Sequence, residues 1–223
     1  MRGRLAPCAV FFYLLVVPAA GLISCRVATT EEVLAGGNSG TAAVRGDELF
    51  SAGEDGETVL ITFDERYLNG GKGYTLWTLE EARGGLEFEA VEVTVQKMSG
   101  DSRAGYGVAF CAQERGGKQH MLVALVNCEQ QYQLGKVIGG SYRALHGWKT
   151  GGSLERGYAA NTIQIRREGG QFVLSFNGQE AERFSDSVES DLNSGRLGYV
   201  AVISPHEDFP HVPVEIRYTK RVQ

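Results

Sequence analysis

From Thr58 to the end, the chain is built of short apolar runs, each cut by Gly, Asn or Asp. Runs of this length, rich in Val, Ile, Phe and Tyr, read as β-strands. They fall at 58–64, 74–79, 86–98, 105–113, 119–127, 131–139, 141–147, 161–169, 171–177, 179–185, 195–203 and 212–222. Several alternate with period two. Ile163, Ile165 and Arg167 share one face, and Thr162, Gln164 and Arg166 share the other. Asn177-Gly178 lies between two such runs, and both residues tolerate the positive φ of a type I′ hairpin turn. "REGGQ" marks another tight turn one strand earlier. Only "SDSVESDLNS" (185–194) suits a short helix or turn. About twelve strands at short intervals predict an all-β sandwich or barrel.

The first 25 residues follow a different pattern. Arg2 and Arg4 precede a stretch from Leu5 to Ile23 that carries no charge. Its apolar heart, Ala9 to Val17, is shorter than the ~20 residues of a membrane-spanning helix, and Pro18 interrupts it. This is the layout of an export signal. Leu22, Ile23, Ser24 and Cys25 resemble the lipobox of bacterial lipoproteins. In that family the cysteine thiol receives a diacylglyceryl group and the chain is cut just before it. The resemblance implies that Cys25 is the first, lipid-bearing residue of a protein held in the bacterial cell envelope, exported from the cytoplasm. Ordinary secretion with cleavage after Ala20 is the alternative. Residues 25–46, rich in Thr, Gly, Ala and Ser, read as a flexible tether, and residues 47–223 as the folded domain.

Charge narrows the partners. Loss of Arg2 and Arg4 with the leader takes 22 basic residues to 20 against 27 acidic, a formal charge of −7. There is no long basic run, so nucleic acid is not an expected partner. The membrane is, through the lipid, together with a glycan or protein ligand. Thirty glycines fit many tight turns. Cys111 and Cys128 lie in an exported chain, where disulfides form. Pairing of the strands about "ERGGK" sets Cys111 near Met121 and leaves Cys128 some seven residues further on. That is roughly 20 Å along a strand, beyond disulfide reach, so both thiols are expected free and buried.

The ordered set from Gly105 to Val202 resembles bacterial concanavalin A-like jelly rolls, the lectin/glucanase and laminin-G-like superfamily. It is similar in particular to the branch known as 3-keto-disaccharide hydrolases. The residues that carry the resemblance are Gly105, Gly107 and Phe110 in one strand, and Tyr132, Leu134 and Lys136 in another. Trp148, the strand led by Asn161, the Phe176–Gly178 hairpin and Gly195 to Gly198 follow in order. The resemblance implies a jelly-roll β-sandwich of two antiparallel sheets. It does not carry an activity, since such a fold hosts many functions.

Candidate chemistry is sparse. Retaining glycosidases need two carboxylates about 5 Å apart. Laminarinase-like relatives place acids at alternate positions of one strand. In "EFEAVEV", Glu87 and Glu89 share a face, but Val91 holds the third place and Glu92 faces the other way. No catalytic set is therefore expected. His120, His146, His206 and His211 lack metal-ligand spacing. "SPHEDFPH" (204–211) is the best metal candidate, but its two prolines suit a rigid surface loop. "DLNSG" (191–195) holds only part of a calcium loop. No metal and no cofactor are expected.

Sugar binding asks for less: a ring for the sugar's C–H face and a few polar groups for its hydroxyls. Tyr142, His146 and Trp148 offer these within seven residues, with Arg143 and Lys149 beside them. Tyr74 and Trp77 form a second aromatic group. Trp148 and Trp77 each suit the core of a sandwich better than a ligand platform, while Tyr142 and His146 are expected at the surface. The reading is a lipid-anchored envelope protein whose jelly roll binds a glycan or a protein surface without catalysis. Its rivals are a glycoside-processing enzyme of the 3-keto-disaccharide hydrolase type, and a structural envelope lipoprotein with no small ligand.

Overall fold

The structure is a computed structural model. It describes residues 50–52, 58–63, 74–79, 90–185, 192, 194–204, 207 and 214–221. Cys25, the tether, Glu87, Glu89, His206 and His211 lie outside the described residues, as does most of the 185–194 segment.

Fourteen strands are described: β1 (Phe50–Ala52), β2 (Thr58–Phe63), β3 (Tyr74–Leu79), β4 (Ala90–Lys97), β5 (Tyr106–Arg115), β6 (Lys118–Val126), β7 (Gln131–Ile138), β8 (Ser141–Ala144), β9 (Lys149–Thr150), β10 (Asn161–Glu168), β11 (Gln171–Phe176), β12 (Gln179–Phe184), β13 (Arg196–Ile203) and β14 (Val214–Arg221). All twelve predicted strands are present, most within two residues of the expected ends. The short β1 and β9 were not expected from the sequence. The first sheet runs β1-β2-β14-β4-β10-β11-β12. The second runs β3-β13-β5-β6-β7-β8, with β9 also on β7. All pairings are antiparallel.

The expected alternation fills the space between the sheets. Val93, Val95, Ile163, Ile165, Phe172 and Leu174 from the first sheet meet Val108, Phe110, Leu122, Ala124, Leu134 and Tyr199 from the second. Phe110 packs edge-on against Phe172 with centroids 5.5 Å apart, a favoured aromatic geometry. The second sheet is apolar on its outer face as well. Met121, Val123 and Leu125, one position off the inner residues of β6, form a second buried layer with Trp77, Leu79, Val137 and Val200. Successive side chains of a strand point to opposite faces, so the unbroken run "MLVALV" is a strand buried on both sides.

The hairpin at 177–178 has φ 50° at Asn177 and 82° at Gly178, the two positive values of a type I′ turn. Cys111 and Cys128 are free and buried. Cys111, with φ 53°, sits in a bulge where pairing steps from Phe110↔Leu122 to Gln113↔His120. The expected partner, Met121, is the residue opposite that bulge.

Candidate functional site

The segment 142–149 closes one edge of the second sheet. β8 pairs with β7 through Val137↔Tyr142 and Gly135↔Ala144. The chain then leaves the sheet and returns as β9, pairing Tyr132↔Lys149. Tyr142 lies on the outer face. Its ring stands over Gly135, where even a methyl group would fall 2.4 Å from Cε2. Its hydroxyl donates to Gln133 Oε1 at 2.8 Å, and burial pushes the phenol up to about 12, so it remains a donor at neutral pH.

Trp148 is on the same outer side. Its six-membered ring rests on Gly105, whose hypothetical Cβ would lie 2.9 Å from Cη2. Leu125, a member of the outer layer, borders the same point. The indole is 37% exposed, whereas Trp77 is 3% exposed. The two tryptophans, alike in sequence, therefore separate: Trp77 is core and Trp148 is surface. Tyr142 is half-buried rather than exposed.

His146 turns the other way, toward the gap between the sheets. Its Nε2 lies 3.1 Å from Glu182 Oε2, and its Nδ1 lies 2.6 Å from Gly147 O. Two donors hydrogen-bond to the same carboxylate oxygen, the Tyr132 hydroxyl at 3.0 Å and Lys149 Nζ at 3.0 Å. Burial would raise the Glu182 carboxyl. The hydrogen bonds from Lys149 and Tyr132, with the His146 and Lys149 charges, outweigh it and hold the carboxyl below its ordinary range. The His146 and Tyr132 rings meet edge-on at 5.8 Å. Of the three residues expected to share a site, Tyr142 and Trp148 face outward. His146 instead turns inward beside Glu182, and Lys149, hydrogen-bonded to that carboxylate, fixes the end of the loop that presents Trp148.

Glu182 escapes a reading of the sequence because β12 is irregular. Glu180 pairs with Ser175 but Glu182 with Leu174, and the register shifts between them. Residues two apart in a regular strand share a face. Here the shift puts Glu182 opposite inward-facing Leu174, while Glu180 stays outside with Arg183. Gln133 and Gly135 were also missed. Their role depends on pairing with β8, which no local signal gives.

The segment after β13 departs from expectation. Glu207 is buried with Lys97; both side chains are 0% exposed and Nζ–Oε1 is 3.8 Å. This acid of "SPHEDFPH" is no surface residue. Burial pushes the Lys97 ammonium down, and the charge of Glu207 offsets only part of that. Among the described residues, no group of His, Cys, Asp and Glu is arranged to hold a metal.

No protein-family model matches the sequence, and no curated protein matches it. Solved structures do resemble it. A carbohydrate-binding module of family 66 from Bacillus subtilis superposes with TM-score 0.52 at 15% identity, covering 78% of this chain and 91% of that one. A β-glucanase from Bacillus licheniformis gives 0.51 at 8% identity, covering 78% and 80%. A β-1,3-1,4-glucanase from a mouse hindgut metagenome gives 0.50 at 9%, covering 78% and 81%. At these identities the likeness concerns architecture, and with the two antiparallel sheets it identifies the fold as a concanavalin A-like jelly roll.

Proposed function

We propose that this protein is a lipid-anchored component of a bacterial envelope whose jelly roll holds a glycan without acting on it. The observation that carries this reading is Trp148: a large ring, exposed, seated on Gly105 just before β5 and followed by Lys149, which is held on Glu182. An exposed ring on the same outer face as the Tyr142–Gln133 hydrogen-bonded pair matches what a sugar needs, a surface for its C–H face and polar groups for its hydroxyls. The carboxylate nearest in the network, Glu182, already accepts from Tyr132 and Lys149. It serves the loop rather than a substrate. A carbohydrate-binding module and glucanases among the similar folds support sugar as the ligand class.

Two measurements test the two halves. Glycan-array binding of the mature chain, made without its lipid, is expected to find a ligand, and Trp148→Ala to weaken it by about 1–3 kcal/mol with melting temperature nearly unchanged. Hydrolysis of a bound sugar by the wild type would overturn the non-catalytic reading. For the anchor, mass spectrometry of the mature protein is expected to find acyl chains on Cys25. An unmodified N-terminus after Ala20 would overturn it.

A further inference from the structure

Among the described residues, Trp148 is one of two exposed aromatic side chains at the same end of the sandwich. The other is Tyr158, 46% exposed. It is fixed at two points: its hydroxyl donates to Gly100 O at 2.7 Å, and its carbonyl accepts from Gln96 Nε2 at 3.2 Å. Gln96 and Met98 lie on the outer face of the first sheet, one position off the buried Val95 and Lys97. Met98 is exposed too. Trp148 touches Gly105 on the second sheet's side. The two rings thus bracket a single connection, residues 98–105, which carries the chain from β4 in one sheet to β5 in the other. Gly105 is five positions beyond Gly100, so their Cα atoms are at most about 18 Å apart.

That connection is held far more tightly than an ordinary surface loop. Lys97 Nζ donates to Asp101 O at 2.5 Å. The Asp101 N–H donates to Glu207 Oε2 at 2.6 Å, and Ser204 Oγ donates to Asp101 Oδ2 at 2.6 Å. The Cys128 N–H donates to Ser102 O at 2.9 Å. A buried lysine and a buried glutamate are costly to desolvate, and here both are spent on one short connection. Arg103, in its middle, has a side chain 63% exposed, tethered to Asp101 Oδ1 through its backbone N–H and its Nε.

We infer that this end of the sandwich, from Trp148 across Arg103 to Tyr158, is one continuous binding surface for an extended glycan chain, with the two rings as separate stacking points and the Arg103 guanidinium donating to hydroxyls between them. The inference rests on the glycan-binding reading of Trp148 and adds the length of the ligand. A second ring on a rigid frame adds affinity only for a ligand that reaches both, since the second contact is then intramolecular. The preorganised connection removes the ordering cost such contacts usually carry.

The test is an array of oligosaccharide series graded in length, probed with the full mature chain and with Trp148→Ala, Tyr158→Ala, Tyr158→Phe and Arg103→Ala. In the wild type, affinity should rise with length and then level off. Tyr158→Ala should lose roughly fivefold to tenfold on long chains and nothing on short ones, while Tyr158→Phe, which keeps the ring, should lose much less. Arg103 is surface-exposed, so Arg103→Ala reports without risk to the fold and should also weaken long chains selectively. Short-chain binding with no gain from length would overturn the inference and leave Trp148's role intact. So would a gain that survives in both Tyr158→Ala and Arg103→Ala. Absence of binding at every length would overturn the glycan reading and this inference with it.

Discussion

The hydroxyl of Tyr132 and the carboxylate of Glu182 meet at 3.0 Å across the gap between the two sheets. Tyr132 is on β7 of the second sheet and Glu182 on β12 of the first, so the bond ties one sheet to the other. Lys149 adds a second tie to the same oxygen. Replacing Glu182 with Gln keeps the shape and removes the charge. It should lower stability by about 1–2 kcal/mol at neutral pH. The sign with pH follows from the depressed carboxyl. The wild-type contribution is fully present above the ordinary glutamate value of 4.5 and is lost as pH falls through the lower folded-state value. Urea melts of wild type and Glu182→Gln should therefore differ at pH 7 and converge in acid. A difference that stayed constant with pH would show that the carboxylate's charge is not what holds the edge.

The strands were legible because each carries its own local signal: β-branched runs, period-two alternation and glycine-bearing turns. What was not legible depends on pairing between distant strands. Ile163 and Ile165 announce their burial by alternation, and Asn177-Gly178 announces its turn by composition. Glu182 faces inward only because β12 slips against β11. Trp148 and Trp77 look alike until the return of the chain at β9 lays one over Gly105 at the surface and the pairing of β3 with β13 places the other in the buried outer layer. Lys97 reads as a strand-end charge and Glu207 as a loop acid. Their meeting needs β4 and the segment after β13 to arrive at the same end.

The Asn177-Gly178 turn is more than a reversal. Asn177 Oδ1 accepts from the Thr162 N–H at 2.7 Å, and its Nδ2 donates to Ser153 O at 2.7 Å and to Asn161 Oδ1 at 2.9 Å. The turn is thereby fastened to the start of β10. Gly178→Val forces a β-branched residue to φ near 82° and should destabilise by about 1–3 kcal/mol. The loss should appear as a lower denaturant midpoint with an unchanged slope. An unaltered midpoint would mean that the turn relaxes without strain.

Cys111 and Cys128 should both react with a thiol reagent after denaturation without reductant, and neither should react quickly in the native protein. Burial raises the Cys128 thiol, and the Lys97 charge and the Tyr106 contact offset this only in part. Little thiolate, the reactive form, is then present at neutral pH. Absence of free thiols in the denatured, unreduced chain would contradict the strand register around the bulge at Cys111.

Gly105 gives a way to move Trp148 without deleting it. Gly105 has no positive φ to protect, and an added methyl would meet Trp148 Cη2 at 2.9 Å, and Cζ2 and Leu125 Cδ1 each at 3.3 Å. The buried leucine has little room to yield. The indole is at the surface and can swing outward. The protein has two tryptophans, and Trp77 is shielded, so iodide quenching reports on Trp148 alone. Gly105→Ala should increase quenching and shift emission to the red, with a stability change within about 1 kcal/mol. Trp148→Phe should leave an emission that iodide does not quench, which fixes the assignment. If Trp148 is the stacking ring, Gly105→Ala should also weaken glycan binding while the core stays intact, separating a displaced platform from a damaged fold. Unchanged quenching in Gly105→Ala would show that the ring does not rest on Gly105 in solution, and the proposed platform would lose its seat.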